Sequence, residues 1–302
     1  STPLHNQRER HRLILVNDGG TLVGPTLEAP MGAEGLIRLT IEPLMETQID
    51  TLYWQLGTDV WKAGWPPRFS DRYSHNTKVG PRWGSEQEKF SSAGHWRIYE
   101  NTRQLIAAGT DPAEVVIESG HERGLEVFLS MRVNDYHDGI LREEIGALSP
   151  MKRRHRDWLL GAPEKSNSEF DHHGISRYGY NFLVPEVRAY KLALAEEAIA
   201  NYDLDGLDWD FCRWLRLFPR GRQQESKELL TNLIRQIKAA LEKKSKKIGR
   251  KLCFSVRVPP TFELALGFGI DVRKWLGEGL VDILVPGAVN NMQRLPVEEY
   301  IE

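Results

Sequence analysis

The chain has 302 residues, of which 40% are hydrophobic, 27% charged and 9% aromatic; this composition is typical of a globular protein and excludes a disordered or fibrous one. Lys and Arg number 40 against 42 Asp and Glu, so the formal net charge is −2 and the basic excess of most nucleic-acid-binding proteins is missing. The two cysteines exclude a disulfide scaffold, and no apolar run reaches the roughly 18 residues of a membrane helix.

These properties limit the binding partners and the cellular location that we expect for the protein. We expect neither nucleic acid nor a membrane as a partner. The sequence contains no phosphate-binding loop, nucleophile elbow or dinucleotide fingerprint, so we expect no cofactor, and we expect no metal. The chain begins at Ser1 rather than Met, which indicates a shortened chain or a removed signal peptide; we favour a secreted or periplasmic location over a cytoplasmic one. The oligomeric state stays open.

Short apolar runs rich in β-forming residues recur along the chain, and most are followed by a helical pattern. In chain order these runs cover residues 13–16, 51–56, 125–134, 204–211, 252–258 and 281–285. The clearest helices are predicted over 185–201, which begins with Pro and Glu, and over 225–244. A strand-then-helix repeat predicts βαβ units and a parallel sheet.

The alternation of side chains along the predicted strands favours a barrel over an open sheet. One face of each strand is apolar, as in Leu207 and Trp209, and the other becomes polar toward the C-terminal end, as in Asp208 and Asp210. Both faces of a doubly wound sheet would be apolar. We therefore predict an α/β fold of the TIM (β/α)8 type, of which about six β/α units are visible.

We interpret residues 1–302 as a single catalytic barrel domain. Long inserted loops are predicted at about 57–96 and 135–185, after strands, where such barrels bind their ligands. The residues after 285 leave no room for strands seven and eight. We therefore expect these two strands to be missing and interpret the chain as a fragment.

The most specific stretch is the acidic run DLDGLDWDFCR at 203–213. Asp208 and Asp210 place two carboxylates on one inward face, roughly 7 Å apart along the strand. Like charges buried there would raise one pKa and suit proton transfer. The alternative is that one Asp pairs with Arg132 or Arg257 and stabilises the barrel interior.

The run VPEVRAYKLALAEEAIANYDLDGLDWDFCRW, together with SVRVPPTFELALGFGIDVRKWLGEGLVDILVPG, resembles the glycosyl-hydrolase-like "family 10" barrels. The resemblance covers roughly residues 125–287 and implies a (β/α)8 barrel that acts on glycans. The acidic strand is also similar to the family-18 chitinase pattern D-x-x-D-x-D-x-E, matched by Asp205, Asp208 and Asp210. Cys212 stands where that pattern has its catalytic Glu, which argues against chitinase-type chemistry.

Most glycosidases use two carboxyl groups that flank the scissile bond. Asp210 is the first candidate, and its partner could be Asp208 or Glu263, which follows the fifth strand. Glu263 could equally be a helix-starting acid that the helix dipole stabilises. The separation of these groups cannot be read from sequence, so retention and inversion both stay open.

Further residues are candidates for binding the substrate. Arginines near strand ends suit a uronic or sulfated sugar, although they could instead neutralise Asp208 and Asp210. Aromatic rings in the first long loop could stack on sugar faces or simply pack beneath the loop. The predicted substrate-binding residues are Asp18, Gln55, Trp61, Trp65, Arg132, Asn134, Asp135, His137, Arg213 and Arg257.

The sequence therefore predicts a glycoside hydrolase whose partner is a polysaccharide or oligosaccharide. Two alternatives stay open. One is a degenerate barrel that binds glycans without cleaving them, which the Cys at position 212 makes credible. The other is a metal-dependent hydrolase or transferase that uses Asp208 and Asp210 as a D-x-D ligand pair.

Overall fold

The computed structural model describes residues 13–17, 32–56, 101, 104–105, 107–135, 150–161, 176–212, 214–287 and 296–300. Within them six strands form one sheet: β1 (Ile14–Asn17), β2 (Thr51–Gln55), β3 (Glu126–Arg132), β4 (Gly206–Asp210), β5 (Cys253–Val258) and β6 (Ile283–Pro286). All neighbouring strands are parallel, and their order in the sheet is their order in the sequence.

The sequential strand order confirms the predicted fold class. In a doubly wound sheet the order reverses at a switch point, whereas here each strand is added beside the previous one, as in successive units of a (β/α)8 barrel. Within the described ranges, β1 and β6 each pair on one side only. That strands seven and eight are missing, and that residues 1–302 form a single domain, stay predictions.

Seven helices are described: α1 (Gly32–Thr40), α2 (Pro112–Glu122), α3 (Pro150–Arg154), α4 (Pro185–Asn201), α5 (Gln223–Ile248), α6 (Phe262–Gly267) and α7 (Val272–Gly277). The predicted helix at 185–201 is confirmed as α4. The second prediction is confirmed as α5, which continues until Gly249 adopts a left-handed conformation with φ +70°. None of the helices in the described ranges is both long and apolar enough to span a bilayer.

The two predicted long loops are described to different extents. Residues 57–96 lie outside the described residues. The segment 135–185 contains α3 and a 3-10 turn at Arg156–Trp158, and an isolated bridge joins Leu159 to Tyr180. This second insertion therefore has ordered structure of its own where it is described, beside the C-terminal end of β3.

The apolar face of the sheet packs against the helices. The side chains that alternate toward this face are almost completely buried in one continuous cluster with residues of α2, α4 and α5. Burying one such side chain contributes about 1.5–3 kcal/mol. From the strands the cluster includes Leu52, Trp54, Val127, Leu129, Leu207, Trp209, Phe254 and Val256.

On the inward face, Tyr53 and Phe128 place two aromatic rings side by side; we call this pair the aromatic floor. Their rings stack with centroids 4.8 Å apart. Gly206 lies next to Phe128 in the β3–β4 register. A Cβ atom at Gly206 would lie 2.2 Å from the Phe128 ring and 2.4 Å from the backbone oxygen of Cys253. Glycine at position 206 therefore leaves free the space that the Phe128 ring occupies.

At the N-terminal end of the sheet, Asp205 joins three elements directly before β4. Its carboxylate lies 2.8 Å from His121 Nε2 on α2 and accepts a hydrogen bond from the Val127 backbone on β3. Arg250 Nη1 donates to its other oxygen at 2.5 Å. Burial alone would raise the pKa of Asp205, but these donors hold it below the ordinary value. Contacts of Asp205 with His121, Val127 and Arg250 therefore hold this end of the sheet together; we call this group the Asp205 anchor.

Candidate functional site

Polar side chains occupy the inward face toward the C-terminal ends of the strands, in two successive layers. The lower polar layer, defined by strand register, contains Gln55, Ser130, Asp208 and Ser255. The upper polar layer, two residues further along each strand, contains Arg132, Asp210 and Arg257. The C-terminal ends of barrel strands form the ligand-binding face of this fold, so the two layers lie where a ligand site is expected.

Asp208 is completely enclosed in the lower polar layer, with a relative exposure of 0%. Ser130 Oγ donates to its Oδ2 at 2.6 Å and Ser255 Oγ to its Oδ1 at 3.1 Å. Arg257 Nε donates to Oδ2 at 3.0 Å. These three donors occupy both carboxylate oxygens, and the side chain has no surface that a ligand could touch.

The charge state of Asp208 reflects a balance between burial and its neighbours. Burial raises the pKa of Asp208 to about 6, against the opposing attraction of Arg257. The nearby charge of Asp210 adds to the rise, whereas the hydroxyl groups of Ser130 and Ser255 oppose it. Asp208 therefore titrates close to neutral pH rather than in the usual acidic range.

Arg257 connects the two polar layers. Its Nε bonds to Asp208, while its Nη2 donates to Ser130 Oγ at 2.9 Å and lies 3.1 Å from Asp210 Oδ2. Burial would lower the pKa of Arg257, but the attraction of the two carboxylates outweighs burial and the pKa is raised. One permanent cation is thus shared by both aspartates.

Asp210 is the carboxylate of this group that lies nearest the end of β4. Its relative exposure is 6%. Oδ1 accepts a hydrogen bond from the backbone N–H of Cys212 at 2.9 Å, and Oδ2 faces Arg257. These contacts fix the plane of the carboxylate, and the residue keeps a small exposed surface.

The thiol of Cys212 does not replace the acid that the family-18 pattern has at this position. Cys212 Sγ donates to the carbonyl oxygen of Gly287 at 3.1 Å. Burial raises the pKa of Cys212, and the neighbouring charge of Asp210 raises it further. The side chain is therefore a neutral thiol that joins the ends of β4 and β6.

Arg132 is paired with a different acid. Its Nη1 donates to Asp135 Oδ2 at 3.0 Å, and Lys152 Nζ donates to the backbone oxygen of Asp135 at 2.7 Å. Lys152 is fully buried although it belongs to an insertion. Arg132, Asp135 and Lys152 therefore hold the turn after β3 in one position.

Asn134 joins two segments that follow different strands. Its amide nitrogen donates to the carbonyl oxygens of Tyr180 at 3.0 Å and Arg216 at 2.8 Å. Its amide oxygen accepts from the Tyr180 backbone N–H at 2.8 Å. Both amide hydrogens are therefore used within the protein, and the direct contact to a sugar predicted for Asn134 stays a prediction.

Gln55 differs from its neighbours in the lower polar layer. Its side chain is 2% exposed, and its Nε2 is buried with no hydrogen-bond acceptor among the residues that the structure describes. Gln55 neighbours Ser130 in the β2–β3 register. Its predicted role in substrate binding stays a prediction.

Glu263 lies apart from the two polar layers. It is exposed in the first turn of α6, where Thr261 caps the helix by accepting a hydrogen bond from Leu264 N at 3.1 Å. No hydrogen bond or ion pair joins Glu263 to another residue of the described ranges. This placement fits the alternative of a helix-starting acid, and the catalytic role of Glu263 stays a prediction.

The remaining predicted site residues lie outside the described residues: Asp18, Trp61, Trp65, His137 and Arg213. Conversely, the hydroxyl groups of Ser130 and Ser255 and the ammonium group of Lys152 are site components that sequence reasoning did not single out. The inward parity of the two serines was a usable signal for them. For Lys152 the local sequence gives no such signal.

The arrangement of Arg257 bears on the metal-dependent alternative. A D-x-D metal site needs both carboxylates to face one cation, but the guanidinium of Arg257 already lies against Asp208 and Asp210. The described part of the chain contains no group of three or more His, Cys, Asp or Glu side chains that could hold a metal ion. In the described structure Asp208 and Asp210 share the guanidinium of Arg257, and the metal-dependent alternative stays a prediction.

No protein-family model and no curated protein sequence matches the chain. The resemblance to the "family 10" barrels therefore stays a prediction. Among solved structures, the chain is similar to a GH36 alpha-galactosidase, AgaA A355E from Geobacillus stearothermophilus, at 17% identity and a TM-score of 0.45, over 83% of this chain and 28% of the enzyme.

Two further similar structures are also glycoside hydrolases. The alpha-galactosidase TtGalA from Thermus thermophilus matches at 17% identity and a TM-score of 0.43, over 85% of this chain and 40% of that enzyme. The chitinase ChiW from Paenibacillus sp. str. FPU-7 matches at 12% identity and a TM-score of 0.42, over 90% and 23%. The chain thus spans well under two thirds of each of these enzymes.

Proposed function

We propose that this chain carries the catalytic face of a glycoside hydrolase that cleaves a polysaccharide or oligosaccharide by carboxylate acid–base chemistry. The observation that carries the proposal is the placement of Asp210. Its carboxylate lies on the inward face at the C-terminal end of β4, fixed by Cys212 N–H and Arg257. Active sites of (β/α)8 barrels lie at this end of the strands.

Of the predicted pair, Asp210 is the carboxylate proposed to act directly on the substrate. Asp208 is enclosed by Ser130, Ser255 and Arg257, which makes it the less favoured partner of Asp210. The second carboxylate that the mechanism requires is then Glu263 or a residue outside the described ranges, such as Asp18.

The pairing of the arginines favours an uncharged sugar beside Asp210. Arg132 is bonded to Asp135 and Arg257 to two aspartates. The charges of both guanidinium groups are therefore already balanced by buried carboxylates, so an anionic sugar would add an uncompensated negative charge beside Asp210. The prediction of an anionic substrate is therefore the second choice.

The proposal is tested with a panel of neutral and anionic oligosaccharides and mass analysis of the products. We expect hydrolysis of a neutral member, and in Asp210→Asn a loss of turnover of about 10²–10⁴-fold with the fold retained. Asp203→Asn is the matched control, because Asp203 is an exposed carboxylate at the opposite end of β4. Unchanged turnover in Asp210→Asn would refute the assignment of Asp210.

A second candidate function is glycan binding without cleavage. It is favoured by one observation: Asp208 is enclosed and the thiol of Cys212 is neutral, so within the described ranges Asp210 has no second acid in contact with it. Saturable binding of a neutral glycan in calorimetry, with no product after prolonged incubation, would support this candidate over the hydrolase.

A further inference from the structure

We propose that Asp208 is a positioning residue that acts through Arg257. Its ion pair with the guanidinium limits how strongly Arg257 pairs with Asp210, and this makes the site sensitive to pH. The effect on activity rests on the proposed glycosidase function. The coupling between Asp208 and Arg257 does not, and it can be measured without any substrate.

The first support is the complete burial of Asp208 in the polar layer below Asp210. Asp208 has no exposed surface, and its oxygens accept from three donors. Any effect of Asp208 on a ligand must therefore pass through a neighbour. Arg257 is the neighbour that also reaches Asp210.

The second support is the geometry of the shared guanidinium. Arg257 Nε is bonded to Asp208 at 3.0 Å, and Nη2 lies 3.1 Å from Asp210. Ser130 fixes this orientation because its hydroxyl donates to Asp208 and accepts from Arg257 Nη2. Two carboxylates thus compete for one cation, and the loss of charge on one strengthens the pairing with the other.

The other charged or titratable groups near Asp208 do not take over the role of Arg257. On β4 these are Asp210 and the neutral thiol of Cys212. On β3 the nearest charged group is Arg132, which lies on the inward face two residues after Ser130. Its guanidinium is bonded to Asp135. From β5 the charge that faces Asp208 is Arg257 itself. In the described structure, the ionised form of Asp208 is therefore stabilised chiefly by Arg257.

The sign of the pH effect follows from the balance at Asp208. Burial raises the pKa of Asp208 to about 6, so the carboxylate is charged above that pH and takes up a proton below it. When Asp208 is neutral, Arg257 has Asp210 as its one ionic partner, and the Asp210 carboxylate is less available to a substrate. Activity should therefore fall on the acidic side with a midpoint near pH 6.

The test follows the Asp208 carboxyl carbon and the Arg257 Nε–H signal by NMR across pH 4–8, using the complete protein and Asp208→Asn for assignment. We expect both signals to titrate with one midpoint. In Arg257→Gln the Asp208 midpoint should rise by about one unit or more, because the opposite charge is gone. An unmoved midpoint in that variant would overturn the proposal, whether or not the protein hydrolyses any glycan.

A second experiment measures turnover as a function of pH on the neutral oligosaccharide that is hydrolysed fastest. In the wild type, the acidic limb should share the Asp208 midpoint. Asp208→Asn should lose that limb and show, at pH 7.5, the reduced turnover that the wild type shows at pH 5. Persistence of the limb in Asp208→Asn would contradict a positioning role while leaving the hydrolase assignment intact.

Two variants guard against a purely structural explanation. Ser255→Ala keeps the Asp208 carboxyl group but removes one hydrogen bond that stabilises its charge. It should shift the NMR midpoint and the acidic limb upward together, and it replaces Asp208→Asn if that variant does not fold. Asp203→Asn changes a carboxylate at the far end of β4 and should leave both midpoints in place; a shift there equal to that in Ser255→Ala would refute the mechanism.

Discussion

Ser130 on β3 and Asp208 on β4 face each other in register, with the serine hydroxyl oxygen 2.6 Å from the carboxylate. The same hydroxyl accepts from Arg257. A small residue on one strand therefore orients both members of an ion pair on the next two strands. This relationship leads to the first of four predictions.

Ser130→Ala should lower the free energy of unfolding by about 1–3 kcal/mol, because Asp208 and Arg257 each lose one buried hydrogen-bond partner. It should also raise the pKa of Asp208, since the Ser130 hydrogen bond favours the charged form. Urea unfolding and the pH profile measure the two effects. Ser245→Ala is the control: its hydroxyl bonds to Leu241 O and Leu252 N near the N-terminal end of β5, so stability should fall while the acidic limb stays in place.

Gly206→Ala should lower the free energy of unfolding by about 1–3 kcal/mol or more, because the new methyl group would overlap the Phe128 ring and the backbone of β5. Chemical denaturation measures the loss. Gly267→Ala in α6 is a matched control, since a Cβ there meets nothing within 4 Å, and its stability should stay within about 1 kcal/mol of the wild type. Equal effects at the two glycines would contradict the tight packing of the floor.

Asn134→Ala should loosen two segments at once, because Asn134 bonds to the backbone of Tyr180 and Arg216. We expect faster hydrogen exchange at 176–180 and 214–217, measured by mass spectrometry, and a loss of about 2–3 kcal/mol in stability. Asn134→Asp keeps the acceptor for Tyr180 N–H but turns a buried carboxylate oxygen toward two carbonyl oxygens, so it should destabilise the protein at least as much as Asn134→Ala. Normal exchange with weakened glycan binding would instead support the predicted sugar contact.

The His121–Asp205 pair should make stability depend on pH. The hydrogen bond to Asp205 raises the pKa of His121 above its ordinary value, although burial opposes this. A raised histidine pKa contributes stability that is fully present below about pH 6.5 and is lost as the pH rises through the folded-state value. The lowered pKa of Asp205 contributes above about pH 4 and is lost in acid.

His121→Gln should therefore cost more at pH 5.5 than at pH 8.5. Urea unfolding of the wild type and the variant at both pH values measures the difference. A cost that is the same at both pH values would show that the imidazole contributes by packing alone.

Local patterns predicted the strands and α4 because burial imposes a period of two along a strand and near 3.6 along a helix. The inward parity of Asp208 and Asp210 followed from the same rule. What the chain alone could not provide was strand register, so it could not tell whether Arg132 or Arg257 would meet these aspartates. Arg257 meets both, and Arg132 pairs with Asp135.

Other site features depend on contacts between residues far apart in sequence. Lys152 belongs to the basic run KRRHR at 152–156, which gives no sign of burial, yet the residue is fully buried and its Nζ donates to the carbonyl oxygen of Asp135. The enclosure of Asp208 likewise depends on serines from two other strands. Such burial emerges only when the strands are brought together, which is why the sequence offered Asp208 as a possible partner of Asp210 without showing its enclosure.

The Asp205 anchor and the Asp210 carboxylate lie at opposite ends of one short strand, separated by the aromatic floor. Changes that tune chemistry at one end leave the attachment of the strand at the other end untouched. Single substitutions at the Asp210 end can therefore change its polar groups while the ion pairs that hold the other end of the strand stay in place. This tolerance follows from where the charges lie along β4 and does not depend on which ligand the site binds.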